Sequence, residues 1–97
     1  MFQATTPTHT FYLPFEASII DKLILTYKQD GRTVLRKTEN DVIRDHQFIR
    51  LTLSQEETNF FSSRPASVQL RVKIGDKVLA SRVVKMDVKA SLNQEVM

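Results

Sequence analysis

Between Ile49 and Ile74 the chain carries two alternating runs of apolar and polar residues on either side of a polar, helix-prone segment, Ser54-Gln-Glu-Glu-Thr-Asn-Phe-Phe61. In the first run Ile49, Leu51 and Leu53 alternate with Arg50 and Thr52. In the second, Val68, Leu70, Val72 and Ile74 alternate with Gln69, Arg71 and Lys73. A period of two puts one set of side chains on each face of a strand, so each run has a greasy side for a core and a charged side for water. Half-solvated strands of this kind belong to antiparallel sheets, because parallel sheets are covered on both faces. The expected fold class is therefore all-β: an antiparallel immunoglobulin-like β-sandwich of about six or seven strands, with one short helical turn near residues 55–61.

The other strand signals agree with that architecture. Thr8 to Leu13 is rich in β-branched and aromatic residues and is stopped by Pro14, which has no N–H to give a ladder. Ile19, Leu23, Leu25 and Tyr27 share a parity, which predicts a strand from about Asp21. Asp30-Gly31 is a hairpin pair suited to positive φ, and it should turn this strand onto Thr33 to Thr38. A short Val42-Ile43 segment leads through Arg44-Asp-His46 to a strand over Phe48 to Leu53. Ser54 and Glu57 have the spacing of a capping box, after which Phe60 and Phe61 are both expected on the core. Gly75-Asp76 marks a second hairpin, into a long strand from Val78 to Val88. Along it Val78 and Ala80 share a parity with Val84, Met86 and Val88. Arg82 has that parity too and breaks the apolar pattern, so a bulge near Ser81 or a twist at a sheet edge is expected. The first strand and the Val78 to Val88 strand are the expected sheet edges.

With 97 residues, the chain is expected to form a single β-sandwich domain over residues 1–97, with 1–7 and 90–97 as loose terminal segments. A domain of this size buries enough surface for a net stability of about 5 to 10 kcal/mol. There is no cysteine, so neither disulfides nor thiolate metal sites can contribute. The amino terminus lacks the basic start and the roughly 7 to 15 residue apolar stretch of a signal peptide. No run is long enough for a membrane span. A soluble protein, not exported by the standard secretory route and without membrane contact, is expected.

The net charge of +3 is unevenly spread: residues 1–63 hold seven basic and eight acidic side chains, and residues 64–97 hold seven and three. Arg71 and Lys73 must share the solvent face of their strand, and a neighbouring strand can add Lys85 and Lys89. Lysines and arginines at outward positions also keep strands soluble and protect edges from pairing, and that role is expected of most of them. Nucleic acid is not an expected partner, since the net charge is small beside an ordinary nucleic-acid footprint.

Nothing in the chain announces chemistry. His9 and His46 lack the converging ligands a metal needs, and no metal or cofactor is expected. Ser81, His46 and Asp41 supply the letters of a nucleophilic triad without a nucleophile elbow. Glu56 and Glu57 are adjacent and diverge, which spoils them as an acid and base pair. Both glycines serve hairpins, so no phosphate cradle is present. No catalytic residue and no small-molecule substrate are expected. The candidate interaction surface is Tyr12, Phe48, Arg71, Lys73, Lys85 and Lys89.

Several motifs recur together in a set of small proteins. They are Leu51-Thr-Leu-Ser-Gln-Glu-Glu-Thr58, an aromatic pair, Val68-Gln-Leu-Arg-Val72, and a Gly-Asp hairpin leading to Leu79-Ala-Ser81. With the opening Thr6-Pro-Thr-His-Thr-Phe11, Leu13-Pro-Phe15 and the Ile24 to Asp30 strand and turn, the chain resembles small phage and prophage virion-associated proteins of Gram-positive bacteria. That resemblance implies a non-enzymatic structural protein of the tail, baseplate or head decoration, located in the virion or the host cytoplasm, docking to other subunits and forming homo-oligomers. One alternative is a carbohydrate- or cell-surface-binding module with Tyr12, Tyr27 and Phe48 as its platform. A second is weak nucleic-acid binding through the basic carboxy-terminal third.

Overall fold

A computed structural model describes residues 1–81 and 83–97. The described residues form eight strands, one short helix and a 3₁₀ turn at Ala17–Ile19. The strands are β1 (Thr8–Tyr12), β2 (Lys22–Gln29), β3 (Arg32–Thr38), β4 (Ile43–Asp45), β5 (Phe48–Thr52), β6 (Ala66–Ile74), β7 (Lys77–Ala80) and β8 (Val84–Met86), with helix α1 (Gln55–Asn59) between β5 and β6. They build two antiparallel sheets. The smaller has the order β1-β5-β4; the larger has the order β3-β2-β6-β7, with β8 also paired to β6.

The tally exceeds six or seven for two reasons. Ile43–Asp45 pairs with β5 as a strand of its own, turning through His46 at φ 49°. The expected long strand from Val78 to Val88 is divided: β7 and β8 lie along the same edge of β6, and their registers differ by one residue, Arg71 facing Ala80 but Val68 facing Val84. The interruption assigned to Arg82 lies outside the described residues. Its neighbours show the consequence of the shift. Val78 and Ala80 pair with Lys73 and Arg71 on the outer face, while Val84 and Met86 pair with Val68 and Ala66 on the inner one. The shared apolar face expected for Val78, Ala80, Val84 and Met86 is thus corrected to two opposite faces.

Parity places the core elsewhere as expected. Leu23, Leu25 and Tyr27 from β2 and Val68, Leu70 and Val72 from β6 are buried, and they form one cluster with Ile49 and Leu51 from β5, Leu53, Phe61 and Val88. The β2–β3 hairpin closes through Asp30 and Gly31, both at positive φ (51° and 77°), between the paired residues Gln29 and Arg32. An additional residue, Val34, is accommodated where the register shifts between Tyr27 facing Leu35 and Lys28 facing Thr33.

Helix α1 begins with the reciprocal cap. Glu57 N–H donates to Ser54 Oγ at 3.1 Å, and Ser54 N–H donates to the Glu57 carboxylate at 2.9 Å. Of the two phenylalanines that follow, Phe61 is buried but Phe60 is 62% exposed. The expectation that both enter the core fails for Phe60 because the helix ends there, and neighbouring residues cannot share one face of so short a turn.

The terminal segments are held against each other. Phe2 and Lys89 form a parallel bridge, Gln3 N–H donates to Lys89 O at 3.0 Å, and Ser91 Oγ donates to Gln3 O at 2.6 Å. Further along, Asn59 Nδ2 donates to Gln94 O and Met97 N–H donates to Gln55 Oε1, which lays the last residues beside α1.

Candidate functional site

Both sheets have a free edge on the same side of the core. β1 pairs only with β5, and β7 and β8 pair only with β6, so their outer edges have no strand partner among the described residues. Between them runs an apolar groove of about 590 Å³. One lip is β1 with the Leu13-Pro14-Phe15 segment that Pro14 bends out of the ladder. The other is Leu79, Ala80 and Val84, and the floor is Val68, Leu70 and Val72 of β6. Leu79 and Val84 are 44% and 49% exposed, so the groove presents apolar side chains beside unpaired backbone N–H and C=O groups. Such an edge accepts an added strand readily.

The residues singled out from sequence fall into separate places. Tyr12 and Phe48 face each other in register on the outer face of the three-stranded sheet, packed edge to face at 4.8 Å between ring centroids. The Arg50 guanidinium lies 5.5 Å over the Phe48 ring and also 3.5 Å from the Asp45 carboxylate. Tyr12 remains 76% exposed and reaches the groove from its outer lip. Arg71, Lys73 and Lys85 stand exposed on the outer face of the other sheet. Lys89 has left that sheet and bridges to Phe2.

Tyr27 cannot belong to a surface platform: it is fully buried, and its hydroxyl meets His9 Nδ1 at 2.7 Å. This contact ties β1 of one sheet to β2 of the other. Burial pushes the Tyr27 phenol well above its usual range, helped by the Glu57 carboxylate. It also lowers His9, with the amino-terminal ammonium adding to the effect, so the pair holds both groups neutral. Burial alone would raise the Glu57 carboxyl, but the paired Lys37 ammonium and the Ser54 N–H outweigh it and hold Glu57 below its ordinary value.

Ser81, His46 and Asp41 sit in separate elements. Ser81 Oγ accepts from Leu70 N–H at the end of β7, His46 is in the β4–β5 turn, and Asp41 accepts from Thr38. Among the described residues no three His, Asp or Glu side chains cluster at metal-binding distance, and no helix is long and apolar enough to cross a membrane.

Sequence reasoning missed the groove residues Leu13, Phe15, Leu79 and Val84. On a straight strand Leu79 and Val84 have opposite parity, and the register shift between β7 and β8 is what brings both to the groove. No protein-family model matches the chain, and no curated protein and no solved structure matches it either.

Proposed function

We propose that the protein is a non-enzymatic structural component of a phage or prophage particle, in the tail, the baseplate or the head decoration, built as an immunoglobulin-like β-sandwich and working by docking to other protein subunits. The observation that carries this reading is the apolar groove between two unpaired strand edges. The likeness of the β5–α1–β6 motifs to virion-associated proteins supports the setting.

The edges also favour a particular way of joining copies. β1 contains no formally charged residue apart from titratable His9, whereas β7 and β8 carry Lys77 and Lys85. A parallel β7-against-β7 joint would set Lys77 against Lys77, which destabilises a strand pair, whereas laying β1 of one copy against β7 of another brings no two lysines together. Such a joint uses two different patches, and repetition yields rings or tubes when the rotation allows it.

Sedimentation velocity over a rising concentration series tests the docking. The wild type should associate, and Leu79→Lys, at a partly exposed groove position, should stay monomeric with unchanged circular dichroism. A wild type that is monomeric throughout, and that captures none of the proteins encoded on either side of its gene, would defeat the proposal.

The Tyr12–Phe48 pair supports one second reading, a carbohydrate- or cell-surface-binding module, because an exposed ring beside Arg50 offers a stacking surface with a polar neighbour. A glycan array that is silent for the wild type removes it.

A further inference from the structure

The outer face of the five-stranded sheet unites basic residues from both halves of the chain. On β2 the outward residues are Lys22, Ile24, Thr26 and Lys28, and on β6 they are Ser67, Gln69, Arg71 and Lys73. In register with them β3 contributes Arg36 and Thr38, β7 contributes Val78 and Ala80, and β8 contributes Lys85. Six cations, Lys22, Lys28, Arg36, Arg71, Lys73 and Lys85, therefore share one face, and no outward position of these strands among the described residues is Asp or Glu. All six are exposed, and none is in an ion pair among the described residues. Of the carboxylates near the strand ends, Asp21 accepts from Gly75 N–H, Glu39 from Leu23 N–H, Asp41 from Thr38, and Asp30 pairs with Arg64, while Glu39 also feels the Lys22 ammonium.

Edge protection does not explain the four cations on β2 and β6, Lys22, Lys28, Arg71 and Lys73, because these are interior strands of their sheet. Solubility requires polar residues, not six of one sign. The register even sets Lys22 directly opposite Lys73, a like-charge pair that weakens the sheet. Between the cations lie two shallow depressions: one of about 150 Å³ bordered by Lys22, Arg71 and Lys73, and one of about 170 Å³ bordered by Lys28, Ser67 and Gln69.

We propose that this face binds the phosphate backbone of nucleic acid. The observations favour phosphate over an acidic protein surface, because the face has no aromatic anchor of the kind that dominates protein interfaces. It intersperses its cations with the hydroxyl donors Thr26 and Ser67, side chains of the kind that join Arg and Lys in contacting phosphate oxygens. The missing aromatics also argue against base stacking, so the contact is with the backbone and indifferent to sequence. From Lys22 to Lys28 the face spans about 20 Å, and Arg71 and Lys73 stand about 7 Å apart along β6, comparable with the separation of successive phosphates on one strand.

The test is fluorescence anisotropy of a labelled DNA duplex of about 20 base pairs, titrated with the full chain over a salt series; with four to six phosphates engaged, log K should fall against log salt with a slope of about −4 to −5. Arg71→Gln and Lys73→Gln should each reduce that slope by about one. Arg50→Gln, on the other sheet, should leave it unchanged. The same titration with polyglutamate should be at least about tenfold weaker. Absent binding at low salt overturns the proposal, as does a slope that the two outward variants do not alter. Equal affinity for polyglutamate would mean an acidic protein partner instead.

Discussion

Truncating Leu70 to alanine probes the face assignment on which the two-sheet account rests. Leu70 is 4% exposed at the middle of β6, directly opposite Leu25 of β2. Removing three carbons from such a site destabilises by the lost transfer free energy plus a cavity term, about 2 to 5 kcal/mol across known cases. Here the side chain also floors the groove, so part of the vacated space joins an open channel and leaves no sealed void. That places the expected loss near the lower end, about 2 to 3 kcal/mol. Leu25→Ala, whose side chain is fully buried, should cost more, about 3 to 5 kcal/mol. Its neighbour Arg71 points outward, and Arg71→Ala should stay within about 0.5 kcal/mol. In urea, with a slope of about 1 to 2 kcal/mol per molar, Leu70→Ala should lower the midpoint by roughly 1 to 3 M while Arg71→Ala barely moves it. Equal shifts for Leu70→Ala and Arg71→Ala would refute the parity argument.

Four further outcomes are expected. His9 is held below its ordinary value in the folded chain, so the unfolded chain binds the proton first: stability should be level above about pH 6.5 and decline as pH falls below it, and in urea melts His9→Gln should flatten this decline. Ser54→Ala removes the cap of α1 and should cost about 1 kcal/mol by thermal or urea unfolding. Phe61→Ala should cost about 3 to 5 kcal/mol, whereas Phe60→Ala should stay within about 0.5 kcal/mol, and comparable losses would contradict their opposite burial. Gly31→Ala puts a Cβ on a residue at φ 77° and should cost about 1 to 2 kcal/mol in the same melts.

The strands around α1 were legible because period and cap act locally. Val68, Leu70 and Val72 alternate with polar residues over a long regular strand, and Ser54 with Glu57 needs only its own turn. Less was legible where a single extra residue changes the outcome. The shift between β7 and β8 turns Val78 outward and brings Leu79 to the groove, and no propensity announces it. The β4–β5 hairpin escaped because His46, an uncommon residue at positive φ, occupies the turn. Tyr27 resembles a surface aromatic when read as a letter, but its hydroxyl is satisfied inside by His9, which only the meeting of two sheets reveals. The basic face escaped for a similar reason. Along the sequence Lys22, Lys28 and Arg36 lie in the acidic first two thirds, among carboxylates that the fold sends to turns and rims.

The docking account comes down to whether the lip formed by β1 in one copy meets the lip formed by β7 in another. The chain has no cysteine, so Thr10→Cys on β1 and Ala80→Cys on β7 can each be made alone, mixed, and treated with a short thiol-reactive cross-linker. The account predicts that the mixture yields the crossed Thr10→Cys with Ala80→Cys dimer in clear excess over either like pair. Cross-linking no faster between unlike than like variants, at concentrations where the protein associates, would contradict it.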